Sequence, residues 1–276
     1  LEPEQPLALD ILAGVAQNTG DAVSAVRLRI EAREIDAQDP ELPMANAIVL
    51  YALGLREQGD EFREQVLAAA PTSTAARQLE IYRAIRFDSR DRQNEIARQM
   101  IVDKAGYRAG DWQYFALFNN AAADGSVEDA LSFMESSYPG FLDSEQSVPF
   151  SLIGARLWSL GALSRIETPE QIQQQIMQLD YVLNEVMIDG GGPLWRLQIL
   201  ALNGDTEAAV QIALEEIFSR PAIATASLNF DLYLDQPFLA DVAADQRIQN
   251  ALKEYQMEKS QAAQDVAAYL DGLDLY

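Results

Sequence analysis

One segment limits the fold more than any other part of the chain: residues 193–221, PLWRLQILALNGDTEAAVQIALEEIFSRP. Apolar residues recur there at three- and four-residue spacing on both sides of a polar break, which is the pattern of two amphipathic helices. Gly204 in the break can adopt the left-handed conformation that ends a helix, and Asp205 or Thr206 can cap the next one. Pro221 then stops the second helix. The segment therefore predicts a helix hairpin.

Looser copies of this hairpin follow one another from residue 6 onward, and no period-2 strand pattern competes with them. The predicted pairs lie near residues 6–37, 42–70, 73–104, 111–137, 149–188 and 193–220. The breaks predicted within the first five pairs are Asn18 to Asp21, Gln58 to Asp60, Asp88 to Arg90, Asp124 to Ser126 and Glu167 to Pro169. The sequence thus predicts an all-α fold of about six hairpins.

The remaining residues, 222–276, follow a different pattern and end in a long predicted helix from Asp245 to Leu270. The last unit of a repeat stack has no neighbour to cover its apolar face. We therefore interpret this region as a C-terminal cap with a terminal helix.

The composition restricts the chemistry available to this chain. Its 276 residues include no Cys and no His, which excludes zinc clusters, thiol nucleophiles, serine triads and imidazole acid–base catalysis. The net charge of −23 opposes binding to nucleic acid and to anionic membrane surfaces. The longest nearly uncharged apolar run, Ala45 to Leu55, is too short to cross a bilayer. We expect a non-enzymatic segment without a membrane span or nucleic-acid contact, and no cofactor is implied.

Small residues around the Gly-Asp breaks resemble those of the tetratricopeptide repeat, a helix hairpin of about 34 residues. The matching positions are Ala13, Ala25 and Ala32 around Gly20, Ala52 near Gly59, Ala130 near Gly125, and Ala209 and Pro221 near Gly204. Glu64 departs from the pattern, and the aromatic residue that starts each first helix in this family is mostly displaced or missing. The resemblance implies a right-handed α-solenoid with a capping helix, which binds a protein or peptide on a concave face lined by first helices.

The end of the repeat region also resembles the close of certain bacterial tetratricopeptide modules. The motif runs from Asp235-Gln236-Pro237-Phe238 to Asp245-Gln246-Arg247-Ile248. In those modules it ends a region fused behind a winged-helix transcription regulator, an adenylate cyclase domain or a kinase. The resemblance implies the docking or sensing part of a larger bacterial signalling protein.

The chain opens with Leu1-Glu2-Pro3-Glu4, without an initiating Met or a signal-type apolar core. We therefore interpret it as a trimmed segment or a mature form. We expect a periplasmic location if the parent protein has an upstream membrane span, and a cytoplasmic one otherwise.

The family's inward-facing positions imply a set of partner-binding residues on the first helices. They are Asn46 and Arg56 in the second pair, Trp112, Phe115 and Asn119 in the fourth, and Gln198 in the sixth. An aromatic side chain beside an amide suits a peptide anchor, because aromatic residues supply much of the affinity at interfaces. Trp112 and Phe115 fit the core between repeats equally well, and the sequence leaves both interpretations open.

The stretch from Arg77 to Arg108 is the only net basic part of the chain. Its arginines fit exposed helix faces paired with Glu80, Asp88, Asp91 and Glu95. The other interpretation is a docking patch, centred on Arg83, Arg86 and Arg90, for an acidic partner or for a second copy of the chain.

Two further functions stay open at this point. Paired carboxylates at helix starts, such as Asp124 with Glu128 and Asp205 with Glu207, fit helix capping, but they also suit a glycosidase-like hydrolase built as a helical toroid. The third hypothesis is a structural scaffold that forms oligomers, including a homodimer.

Overall fold

The computed structural model describes residues 5–103, 112–141, 152–181 and 192–273 of the chain. These residues form fifteen α-helices and no β-strand, which confirms the all-α prediction. In chain order the helices are α1 (Pro6–Asn18), α2 (Ala22–Ile35), α3 (Glu41–Ala52), α4 (Arg56–Ala69), α5 (Thr74–Phe87), α6 (Arg90–Val102), α7 (Trp112–Asp124), α8 (Val127–Ser137), α9 (Ile153–Leu163), α10 (Pro169–Tyr181), α11 (Gly192–Leu202), α12 (Thr206–Ile212), α13 (Phe230–Leu234), α14 (Ala240–Ala244) and α15 (Gln246–Asp271).

Two short helical turns complete this set: a π-helical stretch at Ala213–Ile217 and a 3-10 turn at Pro237–Leu239. Within the described part of the chain, no helix has the length and apolarity that crossing a bilayer requires. Residues 104, 111, 149–151 and 182–188 of the predicted hairpins lie outside the described residues.

The chain divides into two compact units. Unit 1 comprises Leu1–Phe87, Phe218–Asn229 and Asn250–Tyr276, and unit 2 comprises Asp88–Ile217 and Phe230–Gln249. The predicted C-terminal region, 222–276, contributes residues to both units.

Three of the predicted breaks are glycine turns with positive φ, at Gly20 (92°), Gly125 (82°) and Gly204 (77°). This is the left-handed conformation that glycine adopts without a steric penalty and that ends many helices. After Gly20, the Asp21 carboxylate accepts a hydrogen bond from Ser24 N at 2.9 Å. After Gly204, Asp205 accepts one from Ala208 N at 3.2 Å. The predicted C-cap at Gly204 and N-cap at Asp205 are confirmed, and the turn at Gly20 has the same arrangement.

The break predicted in the second hairpin, at Gln58 to Asp60, is wrong. The turn is centred on Gly54, whose φ is 80°, and α4 already begins at Arg56 and runs through Gly59. Gly59 is buried because it lies against the Tyr51 ring, where an added Cβ would come within 2.5 Å of Tyr51 Cδ1. This glycine therefore permits close packing of α4 on α3. The sequence had placed Arg56 on the first helix of this hairpin. That prediction is wrong, because Arg56 is the first residue of the second helix, α4.

In unit 1, α1 packs on α2, α3 packs on α2, α4 and α5, and the C-terminal segments join this assembly. Ala13, Ala25 and Ala32, which match the small-residue positions of the tetratricopeptide repeat, are fully buried. The Gln17 amide donates to Ile223 O at 3.1 Å, which holds the segment after residue 218 against α1. Tyr255 of α15 donates to Ser227 O at 2.8 Å.

In unit 2, α9 is the central helix, because every residue from Ile153 to Leu163 is buried. It contacts α7, α8, α10, α11 and the 3-10 turn at Pro237–Leu239. Its glycine, Gly161, admits the ring of Phe238, since a Cβ at that position would lie 2.6 Å from Phe238 Cδ1.

Candidate protein-docking site

Four aromatic rings form a cluster in unit 2. Tyr233 of α13 stacks on Trp158 of α9, with ring centroids 5.4 Å apart and ring planes at 7°. Tyr233 also stacks on Trp112 of α7, at 6.0 Å and 19°. Phe115 meets these three rings edge-on, at centroid distances of 5.1 to 5.8 Å. Stacked and edge-to-face pairs are the favoured aromatic geometries.

The two aromatic residues predicted to line a concave face thus hold a segment of the same chain. Phe115 is 3% exposed and Trp112 is half-buried, and both contact Tyr233. Sequence reasoning missed Tyr233 and Trp158. Trp158 could have been identified from the sequence, because it is an aromatic residue in the middle of the first helix of the fifth predicted pair.

Gln198 lies on α11 and is fully buried. Its side-chain amide has no hydrogen-bond partner among the described residues, at either the oxygen or the nitrogen. A buried polar group without a partner costs about 1–3 kcal/mol. The structure therefore places this predicted ligand-binding residue away from solvent, in a position where its polarity opposes folding. Asn119, the other predicted amide of unit 2, is half-buried on α7.

We expect Gln198→Met to raise the free energy of unfolding by about 1–2 kcal/mol, because the thioether fills a similar volume and removes the unpaired amide. Urea denaturation followed by circular dichroism measures this change. The matched control is Gln17→Met, since Gln17 is also buried but donates to Ile223 O and accepts from Arg29 at 3.0 Å. That variant should lose stability, and an equal loss at both sites would contradict the prediction.

The predicted residues of the second hairpin have different surroundings. Asn46 is 1% exposed, and its amide donates to Val26 O of α2 at 3.2 Å, so it links two helices inside unit 1. Arg56 is exposed at the start of α4, with its guanidinium carbon 5.5 Å from the centroid of the Phe87 ring.

Two of the three arginines predicted as a basic patch are bound within unit 1. Arg83 Nε donates to Asp60 Oδ1 at 2.7 Å, and Arg86 donates to Asn229 Oδ1 at 2.6 Å. Arg90 is exposed at the start of α6, in unit 2. Replacing Arg83 and Arg86 would break these internal bonds as well as any external contact. A docking role for these arginines stays a prediction.

The first helix has an unexpected distribution of side chains. It buries Ala8 and Ala13, whereas four of its large aliphatic side chains are about half exposed or more. They are Leu7 (61%), Ile11 (49%), Leu12 (48%) and Val15 (54%), here called the α1 stripe. Leu7, Ile11 and Val15 are spaced four residues apart and so lie along one side of the helix. Contiguous exposed apolar patches on soluble proteins typically mark binding sites.

An open cavity of about 540 Å³ lies where α1 ends. It is formed by the α1–α2 turn, the segment Phe218 to Ile223 and one side of α15. Its charged lining residues are Asp21, Glu258, Asp265 and Arg220, and we call it the acidic cavity. The hydrogen bond from the Ser24 amide holds the pKa of Asp21 below its ordinary value, so this carboxylate is ionised at neutral pH.

Of the carboxylates predicted at helix starts, Asp205 caps α12 and Glu207 forms an ion pair with Arg247. Arg247 donates to both oxygens of Glu207, at 2.9 and 2.7 Å, and its hydrogen bonds lower the pKa of Asp245 to about 2. Asp124 was predicted at a helix start, but it is the last residue of α7, where it accepts a hydrogen bond from Ser126 N at 3.1 Å. A glycosidase needs one carboxyl group with a raised pKa as its general acid, whereas the pKa values of Glu207 and Asp245 are lowered. Across the residues that the structure describes, no three acidic side chains are placed to hold a metal ion.

Comparisons of this chain with protein-family models, curated proteins and solved structures found no match.

Proposed function

We propose that this chain is a non-enzymatic scaffold that binds a protein or a peptide. In this proposal its hairpins stack as a right-handed, tetratricopeptide-like solenoid, which serves as the docking or sensing part of a larger bacterial signalling or transcription-regulating protein. The observation that carries the proposal is the α1 stripe, and the binding surface is that face of unit 1.

The free energy available from burying the α1 stripe supports binding of a partner. Full burial of a Leu, Ile or Val side chain contributes about 1.5–3 kcal/mol, and about half of each of the four side chains is still exposed. Covering the stripe would therefore contribute about 4 kcal/mol before the cost of association. A helix that buries its alanines and exposes its larger side chains gains this energy only from another surface.

The aromatic cluster of unit 2 supports binding of a peptide in a second way. The helices α7 and α9 hold a short aromatic segment of the same chain through Trp112, Phe115 and Trp158. The faces of α7 and α9 thus suit an aromatic peptide. In this structure the chain's own Tyr233 occupies the place between their rings.

Site-specific photo-crosslinking in the source cell tests the proposal. A benzophenone amino acid at Ile11 should give a defined adduct with another protein, and the same probe at Glu61, an exposed residue of α4, should not. Adding Leu7→Glu and Val15→Glu should suppress the adduct, because carboxylates in the stripe oppose its burial. Absence of an adduct at Ile11, or equal labelling from Glu61, would refute the proposal. An adduct of twice the chain mass would instead support the oligomer-forming scaffold.

A further inference from the structure

We propose that the partner of unit 1 is a basic amphipathic helix, which packs its apolar side along the α1 stripe and places a Lys or Arg side chain in the acidic cavity. This inference rests on the proposed function, and it adds the chemistry of the partner and the place where its charge binds.

The shape of the stripe favours a helix as the partner. Leu7, Ile11 and Val15 form a ridge of side chains four residues apart, about 12 Å long at a rise of 1.5 Å per residue. Ridges of this kind pack into the grooves of a second helix in the commonest class of helix pairs. Leu12 widens the ridge on one side. A partner helix of about three turns with apolar residues at every third or fourth position would cover it.

The acidic cavity continues the stripe. Thr19 lines the cavity and follows Val15 by one helical turn, since both its amide and its hydroxyl donate to Val15 O at 3.0 Å. A helix lying on the stripe therefore extends over the cavity mouth with its next turn. The cavity volume of about 540 Å³ lies within the range of ligand sites in proteins.

The charge of the cavity selects a cation. Three acidic residues, Asp21, Glu258 and Asp265, line it together with one basic residue, Arg220. Glu258 Oε2 accepts a hydrogen bond from Ala222 N at 3.0 Å, which places this carboxylate on the lining, and Asp265 accepts one from Gln261 at 2.8 Å. A Lys or Arg side chain would add a positive charge and further donors, since each carboxylate can accept more than one hydrogen bond.

A second copy of this chain fits the surface poorly. The α1 helix contains one charged residue, Asp10, and no basic residue, so its own stripe would supply no cation to the cavity of a partner copy. Two copies would also bring together chains of net charge −23.

Two synthetic helical peptides test the proposal on the full chain. Each carries leucines at positions i, i+4 and i+8, and the flanking residues at both ends are lysines in one peptide and glutamates in the other. Fluorescence anisotropy measures their affinities at low and high salt. We expect the lysine peptide to bind at least about tenfold more tightly at low salt, with the ratio falling as salt screens the charges.

The double variant Glu258→Gln/Asp265→Asn should reduce that ratio to about twofold or threefold, because it removes two cavity charges and keeps the accepting oxygens. The matched control is Glu61→Gln/Glu64→Gln, which changes the net charge equally on exposed positions of α4 and should leave the ratio intact. Asp21 stays unchanged in both variants, since it caps α2.

The outcomes separate this inference from the proposed function. Equal binding of the two peptides, or an equal effect of the two double variants, would overturn the basic partner and the role of the cavity. If Ile11→Glu then still abolished binding of both peptides, the stripe would remain a docking site and the proposed function would stand. Binding of neither peptide, or a dimer of the unmodified chain on sizing, would overturn the basic helical partner.

Discussion

Replacing Trp158 by alanine should lower the free energy of unfolding of unit 2 by about 3–5 kcal/mol. Trp158 is 5% exposed on the central helix, and it contacts Tyr233 and Phe115 at centroid distances of 5.4 and 5.1 Å. The loss combines the transfer free energy of the indole, the cavity left behind and the geometry of two aromatic pairs. For a chain of this length the melting temperature should fall by about 10 °C. Far-UV circular dichroism in urea and on heating measures both quantities.

Two controls separate the cluster from a general effect of losing tryptophan. Trp158→Phe keeps a ring in the cluster and should lose about half as much stability as Trp158→Ala. Trp195→Ala removes a half-buried ring of α11 that lies outside the cluster, so its effect should also be smaller. A loss below about 1 kcal/mol for Trp158→Ala would show that the cluster does not stabilise unit 2.

In unit 1, we expect Tyr51→Ala to have an effect of similar size, about 3–5 kcal/mol. Tyr51 is 1% exposed and packs against the rings of Tyr82 and Phe87, at centroid distances of 6.4 and 5.6 Å. It also covers Gly59, whose missing side chain makes room for its ring. Alanine would therefore leave a cavity between α3, α4 and α5, and urea denaturation measures its cost.

Tyr51→Phe isolates the hydrogen bond that the Tyr51 hydroxyl donates to Asp60 Oδ1 at 2.7 Å. Burial, with a further contribution from Asp60, raises the pKa of Tyr51, so the hydroxyl keeps its proton and remains a donor. We expect a loss of about 1 kcal/mol, because Asp60 is one-third exposed and keeps its bond from Arg83. A loss as large as that of Tyr51→Ala would contradict the assignment of most of the energy to ring packing.

The pH dependence of the Tyr51→Phe effect gives a second check. Burial raises the pKa of Asp60, but hydrogen bonds from Arg83 and Tyr51 outweigh it and hold this pKa below its ordinary value. A lowered pKa in the folded state stabilises the protein above the unfolded-state value, about 4, and this stabilisation is lost as the pH falls through the folded-state value. The difference in stability between the original chain and Tyr51→Phe should therefore shrink below about pH 4.

The local part of the fold was predictable from sequence. The helix periods and the turns at Gly20, Gly125 and Gly204 depend on residues within a few positions of one another, and the structure confirms them. The second hairpin misled this reasoning because Gly59 has polar neighbours, whereas the true turn glycine, Gly54, lies between two leucines. The two glycines differ in that the Tyr51 ring packs against Gly59 and not against Gly54. This packing contact cannot be recognised from the residues that flank either glycine.

Less of the candidate site was predictable. Sequence reasoning identified Trp112 and Phe115 as a pair with two open roles, but it did not find Tyr233, which lies more than a hundred residues later in the chain. It paired the basic stretch with nearby acids, which is confirmed for Arg92 and Glu95 at 2.7 Å, whereas Arg83 binds Asp60 of the preceding hairpin. The periodic spacing of apolar residues in α1 was evident from the sequence. That spacing does not show which side of the helix is covered by the rest of the chain.

The sequence by itself determined the all-α class seen in the described residues, where most of their helices begin and end, and that the chain contains no Cys and no His. These properties depend on composition and on interactions across one or two helical turns. Only the tertiary structure decided which C-terminal residues join the N-terminal helices, which aromatic rings meet, and which apolar residues stay exposed. The physical reason is that hydrophobic burial is non-directional, so an apolar stripe specifies that it should be covered but not by which surface.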